Sequence, residues 1–247
     1  MQVIYFLLAI YGLTIFVITL ILIVPCYFLV FLIQPENKIP FVAHKFTRLW
    51  GNILLPLVFV RVKIKNKELI KKNRTYVFIA NHLSQLDIPV YVHATHNVLR
   101  FLAKAELGKI PLLGYVIKKT YFMVRREDKS DRQKIMQLMK QTLEQRIGLF
   151  ICPEGTRNRT KNILLPFKDG AFRLAIEAQV PLAVFVVYDS YLRNKPSSPL
   201  SLIPGTIHGE WIEVVDTTGM TEKDVPALKE RVWRDMEKSI IAFRNKK

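Results

Sequence analysis

Tyr76-Val77-Phe78-Ile79-Ala80 runs directly into Asn81-His82-Leu83-Ser84-Gln85-Leu86-Asp87, and the fold is read outward from this junction. The first five residues are apolar, with aromatic and β-branched side chains, and predict a buried strand. A histidine stands where the strand ends, and an aspartate follows five positions later. On an unbroken helix that spacing turns two side chains about 140° apart, so a helix alone does not pair them. A strand-end loop folding back on a helix start does. Pro89 suits a first helical turn, where its missing N–H costs nothing. An imidazole held by a carboxylate is a general-base arrangement for acyl transfer. A helix-capping Asp87 beside an ordinary loop His82 is the competing reading, and the spacing alone leaves both open.

Downstream of residue 75, strand-like and helix-like runs alternate. Strands are expected near 76–80, 98–103, 120–124, 148–152, 182–187 and 211–215, and helices near 88–96, 107–118, 129–146, 168–178 and 223–243. Ile135, Leu138, Met139, Leu143 and Ile147 recur at helical spacing and form a stripe that faces a sheet. Asn194-Lys195-Pro196-Ser197-Ser198-Pro199 reads as a loop. This alternation predicts an α/β fold: a mixed, largely parallel sheet covered by helices on both faces. Sites in such sheets gather where strands end in loops, and His82 and Glu154 both follow strands.

The N-terminal part differs in kind. No charged side chain occurs before Glu36, and Val3 to Ile33 is almost continuously apolar. The stretch lacks the basic start and small-residue cleavage site of a signal peptide, and its length exceeds the roughly twenty residues of one crossing. It predicts a hydrophobic helical membrane anchor, either a tilted span or a re-entrant helix bent at Pro25 with a short return. Phe41 to Trp50 mixes apolar and basic residues, which suits a helix at headgroup depth with Lys45 and Arg48 toward phosphates. Packing of this segment on the main domain is the alternative. The expected organisation is an anchoring segment over 1–57 and an α/β domain over 58–247.

Thirty-seven Lys and Arg against twenty Asp and Glu leave the 247-residue chain at +17. Such an excess favours anionic partners, and the basic residues after the apolar run favour a cytoplasmic main domain. No zinc-finger spacing, RNA-binding signature or basic heptad argues for nucleic acid. His93 and His96 have no Cys or acidic ligands clustered with them, so no metal site is expected. Cys26 and Cys152 read as buried free thiols.

A second apolar run, Leu149-Phe150-Ile151-Cys152-Pro153, ends in Glu154-Gly155-Thr156-Arg157. With Asn81, His82 and Asp87 these residues resemble the glycerolipid acyltransferase family, specifically the bacterial 1-acyl-glycerol-3-phosphate (lysophosphatidic acid) acyltransferases. That family carries an N-H-x4-D block, an arginine block, a P-E-G-T-R block and a later apolar block. Phe167 to Phe172 also resembles a family segment, and Asn158 replaces the usual serine. Phe122 and Arg125 fit the second block, although Lys119 and Val124 depart from it. Pro181 fits the fourth, with Val184 where a second proline is common.

The resemblance implies transfer of a fatty acyl group from an acyl thioester to the 2-hydroxyl of 1-acyl-glycerol-3-phosphate, giving phosphatidic acid; transfer to glycerol-3-phosphate or another lysolipid, or a lipid-binding membrane protein without chemistry, are the alternatives. The thioester is carried by acyl carrier protein or coenzyme A, and no further cofactor is expected. His82 would take the hydroxyl proton and Asp87 would hold the imidazole. Ser84 would be a turn residue. Arg157 would bind the substrate phosphate through its planar fork. Glu154 would orient Arg157 or accept a glycerol hydrogen bond, and Gly155 and Thr156 would bring backbone amides to the ligand. Arg125 and Lys104 would complete the basic pocket or remain surface cations, with Lys168 a further candidate. The implied location is the inner membrane of the cell, with the catalytic domain on the cytoplasmic face.

Overall fold

The computed structural model describes residues 2–125, 127–198 and 201–246. Seven strands form one sheet: β1 (Val60–Lys65), β2 (Val77–Ala80), β3 (Leu99–Lys104), β4 (Phe122–Val124), β5 (Gly148–Ile151), β6 (Leu182–Val187) and β7 (Gly205–Val215). Their spatial order is β1-β7-β6-β2-β5-β3-β4. Every pairing is parallel except β6 with β7. The sheet is therefore mixed and largely parallel.

The central strands are apolar at every position because both of their faces are covered. Val77 and Ile79 point into one core, with Phe172 of α6 (Gly170–Glu177), Met139 and Leu143 of α5 (Lys129–Glu144), and Val232 and Met236 of α7 (Val225–Arg244). Phe78 and Ala80 point the other way, to Tyr91 of α3 (Asp87–Ala94), Leu54 and Leu55 of α2 (Ile39–Leu57), and Trp211. A fully buried Phe such as Phe78 contributes enough that truncation to alanine costs about 3–5 kcal/mol. Two cores on opposite faces fix the rim where β2 and β5 end together.

Three local expectations need correction. The strand β1 was not expected, although Val60-Arg61-Val62-Lys63-Ile64-Lys65 alternates apolar and basic residues as an edge strand should. The helix expected over 107–118 is a 3-10 turn at Ala105–Lys109 followed by α4 (Leu113–Thr120), because Pro111 interrupts the helical hydrogen bonding. The last strand begins at Gly205 rather than near 211. The Asn194–Ser198 part of the expected loop is a turn, and Pro199 lies outside the described residues.

The N-terminal segment is one helix, α1 (Gln2–Ile33), continuous through Pro25. The chain reverses at 34–38 instead, and α2 returns along α1 as the second arm of a hairpin. Tyr27 Oη and Thr47 Oγ1 lie 2.5 Å apart, Trp50 Nε1 donates to Thr19 Oγ1 at 3.0 Å, and Tyr11 Oη donates to Leu57 O at 2.9 Å. This pairing order is that of antiparallel helices. The packing of α2 on the main domain fits the alternative reading of this segment. Trp50 packs between α1 and the core, and Arg48 Nη1 lies 2.8 Å from His96 Nδ1. Phe6–Ile33 is long and apolar enough to cross a membrane, with Phe6, Leu22, Phe28 and Leu32 exposed, which suits a membrane anchor.

Candidate active site

The exit of β2 is pinned first. Asn81 bridges to β6 with both ends of its amide: Nδ2 donates to Val187 O at 2.8 Å, and Val187 N donates to Oδ1 at 2.9 Å. Tyr91 Oη donates to Asn81 O. The chain then turns tightly around Asp87, the first residue of α3. Asp87 Oδ2 accepts from His82 Nδ1 at 2.8 Å, from Leu83 N at 2.6 Å and from Ser84 N at 2.8 Å. Three donors thus converge on one oxygen of a fully buried carboxylate and offset part of the cost of its burial, while Oδ1 is buried without a partner. The two readings of the His82–Asp87 spacing thus merge: the carboxylate ties the loop and holds the imidazole. Because that carboxylate oxygen accepts, the hydrogen-bond pattern assigns the proton to Nδ1 and the lone pair to Nε2.

The loop after β5 clamps His82 from the other side. Glu154 Oε1 accepts from His82 N at 2.8 Å, and its Oε2 accepts from Leu165 N at 2.9 Å. Asn158 N donates to His82 O at 2.7 Å. Both backbone polar groups of His82 are therefore bound to one neighbouring loop. Burial pushes the Glu154 carboxyl up to about 7, against the two N–H bonds and the nearby imidazole, which favour the ionised form. Glu154 does not orient Arg157, since its oxygens are committed to backbone donors. Gly155 has a φ of 72°, and a side chain there would meet Lys168 Cε and Nζ at 3.0 Å. The positive φ favours glycine, and a side chain would also have to displace the end of Lys168.

Arg157 faces the same space. Its Nη1 is buried and has no hydrogen-bond partner, while burial and the adjacent Arg159 lower its pKa. Its guanidinium is a donor set awaiting an acceptor. His82, Gly155, Thr156, Arg157, Lys104 and Lys168 all line one cleft of about 1610 Å³, which continues between α1 and α2 past Gly12, Phe16, Leu20 and Leu54. A polar end thus opens into an apolar trough, a shape that takes an amphipathic ligand.

The structure does not bring Arg125 to this cleft. Its Nη2 is 3.3 Å from Asp131 Oδ1 and 3.8 Å from Asp128 Oδ2, with the side chain 67% exposed. Lys104 reaches the cleft while its Nζ pairs with Glu106 at 2.9 Å. Cys152 Sγ is half-buried, 4.0 Å from Tyr91 Oη. Sequence reasoning missed Asn158 and Leu165 as supports of the site. Both act through backbone N–H groups, which every residue type but proline carries, so no sequence signal marks them.

Comparison with known proteins adds a second line. A profile for the Acyltransferase family matches residues 61–188. The human 1-acyl-sn-glycerol-3-phosphate acyltransferase beta is 32% identical over 186 residues, covering 74% of this chain and 66% of that protein. The chain thus spans about two thirds of that relative's length. A Helicobacter pylori 1-acyl-sn-glycerol-3-phosphate acyltransferase is 36% identical over 116 residues, 46% of this chain and 48% of that one. The crystal structure of the 1-acyl-sn-glycerophosphate (LPA) acyltransferase from Thermotoga maritima shares the fold, with a TM-score of 0.81 over 98% of this chain and 97% of that chain at 23% identity.

Proposed function

Because the chain belongs to the acyltransferase family, we propose that it is a membrane-associated enzyme that esterifies the 2-hydroxyl of 1-acyl-glycerol-3-phosphate from an acyl thioester. The product is phosphatidic acid. The observation that carries this reading is the 2.8 Å His82–Asp87 contact on the same cleft as the unpartnered Arg157 guanidinium. The names of the human and Helicobacter relatives support the acceptor.

In the mechanism, Nε2 of His82 takes the proton of the acceptor hydroxyl as its oxygen attacks the thioester carbonyl carbon. Asp87 stabilises the resulting imidazolium and keeps the ring in one tautomer. The tetrahedral adduct then expels the thiolate, which takes the proton back from the imidazolium. One C–O bond forms and one C–S bond breaks, with no covalent acyl-enzyme. Arg157 binds the acceptor phosphate with two parallel N–H bonds, and Lys168 and Lys104 add positive charge along the cleft. The acyl chains occupy the apolar trough beside α1 and α2.

The donor is an acyl carrier protein or coenzyme A thioester, and the chemistry needs no other cofactor. The +17 charge and the apolar α1 support a place at the inner membrane with the α/β domain on its cytoplasmic face. The test is a thioester assay on the full chain with and without lysophosphatidic acid. Acceptor-dependent formation of phosphatidic acid is expected. Thioester loss without acceptor, or transfer to glycerol-3-phosphate in preference, overturns the assignment.

A further inference from the structure

The turn that carries His82 and Asp87 has a third support, on the side away from Glu154. Ser84 is fully buried, and its Oγ accepts from Leu86 N at 3.1 Å and donates to Asn194 Oδ1 at 3.0 Å. Asn194 belongs to the segment between β6 and β7, more than a hundred residues downstream. It is itself buried, and its Nδ2 donates to Ser201 O at 2.7 Å. The segment is cross-tied: Ser201 Oγ accepts from Lys195 N at 2.6 Å, and Ile203 N donates to Arg193 O at 2.8 Å.

Its Leu202 is buried against α1. A Cβ on Gly12 would lie 2.6 Å from Leu202 Cδ2, so only glycine lets that side chain seat there. The acceptor that Asn194 offers to Ser84 is therefore held at a fixed point. Ser84 also gives its N–H to the carboxylate oxygen that holds His82 Nδ1. A displacement of Ser84 moves a donor of that oxygen and so changes how firmly the imidazole is held.

We propose that Asn194 is a positioning residue for the His82–Asp87 pair, acting through the Ser84 hydroxyl. The proposal rests on His82 as the base of the reaction given above. Asn194 also borders the cleft, but its amide is bonded to Ser84 and Ser201, so its effects are expected on turnover and on the imidazole more than on acceptor binding.

Asn194→Ala is expected to lower kcat about tenfold and leave the acceptor KM within about twofold, a split that loss of the phosphate site would not give. Ser84→Ala is expected to do the same, and the double variant to lose no more than either single, because both remove one interaction. The second readout is the titration of the His82 imidazole by carbon-13 histidine NMR, with the resonance assigned by His82→Gln. Its midpoint is expected to shift in Asn194→Ala and in Ser84→Ala, because the charge that the Asp87 carboxylate presents to the imidazole changes with the donors around it. The His208 resonance, assigned by His208→Gln, should stay in place. If Asn194→Ala does not fold, Ser84→Ala carries both measurements, since it leaves the Asn194–Ser201 bond intact. Unchanged kcat with an unchanged midpoint, or losses that multiply in the double variant, overturns the proposal. A wild-type chain that makes no phosphatidic acid defeats the proposed function instead, while the titration still decides the role of Asn194.

Discussion

Among the described residues, two histidine–aspartate pairs share the same Nδ1 to Oδ2 distance, 2.8 Å, in different surroundings. His82 and Asp87 lie in one turn, and that carboxylate oxygen also takes the N–H groups of Leu83 and Ser84. His208 lies on β7, and Asp189 follows β6. There one histidine supplies two donors, its backbone N–H to Oδ1 at 2.7 Å and its ring to Oδ2. That pair fastens two antiparallel strands at the exit of β6, with Phe243 of α7 packed beside the imidazole. The geometry of the pair does not by itself make a site. His82 lines the cleft with Arg157, whereas His208 is not among the lining residues. The surroundings decide the role.

The largest expected effect breaks the first pair. His82→Ala should lower turnover by about 10²–10⁴-fold, the range for loss of a general base, with the fold retained. Asp87→Asn should be comparably harmful, because an amide does not stabilise an imidazolium and its NH2 group opposes donors that a carboxylate oxygen accepted. Steady-state kinetics beside a circular-dichroism melt check both. Near-normal turnover in a folded variant removes the base assignment and makes the two pairs equivalent.

Next in size is the cation that distinguishes the surroundings. Arg157→Lys keeps a charge and loses the fork, so the acceptor KM should rise about tenfold while the KM for the donor changes little. Equal rises for both substrates would assign Arg157 a structural task. The effect on kcat should be smaller than that on KM, since the guanidinium acts away from the reacting oxygen.

Glu154 tests how the first pair is built rather than what it does. Its carboxyl is pushed up to about 7, so the folded protein holds that proton to higher pH than the unfolded chain does. The contribution to stability is fully present below the ordinary carboxyl value and is lost as pH rises toward 7. At about 1.4 kcal/mol per unit, the loss is about 3 kcal/mol. Urea denaturation of the wild type between pH 5 and 7.5 should show this fall. Glu154→Gln should abolish the slope and lower stability at acid pH by about 1–3 kcal/mol, because the amide nitrogen meets a backbone N–H at one of the two contacts. A flat wild-type profile would mean that the carboxylate stays ionised throughout.

How much of this was readable beforehand depends on which atoms carry the information. The strands β2, β5 and β6 were legible because a strand covered on both faces has to be an apolar run. The strand β1 was not expected. It pairs with residues from Gly205 onward, and its alternating basic residues face outward at an edge. The helix 107–118 failed at Pro111, a local signal given too little weight. Of the two forms expected for the apolar segment, the one bent at Pro25 is not seen: the helix runs on and the chain reverses at 34–38. Within the site, the spacing of His82 and Asp87 next to a strand left their meeting as one of two readings, and the Pro153–Arg157 block downstream tipped it. The clamp of Glu154 and Asn158 on His82 was not legible, since its donors and acceptors are largely backbone. Arg125 read, from the resemblance, as part of the pocket or as a surface cation, and it is the latter: Asp131 lies six residues on and captures it.

The smallest expected effect on activity comes from the second pair, and it closes the comparison. His208→Ala removes the ring that meets Asp189 Oδ2, while the backbone N–H of residue 208 still reaches Oδ1. Asp189 is 2% exposed and His208 33% exposed, so one oxygen of a buried carboxylate loses a donor near the surface. Leaving a buried acceptor short of one donor costs about 1–3 kcal/mol, and water entering from the exposed side holds the loss toward the lower figure. Turnover should stay within about twofold of wild type, because the strands β6 and β7 remain joined along their whole register from Leu182 to Val187. A variant that melts a few degrees lower but turns over normally separates a fastening pair from a reacting one. A loss approaching that of His82→Ala would mean that the exit of β6, and not the turn at Asp87 alone, sets the position of the base.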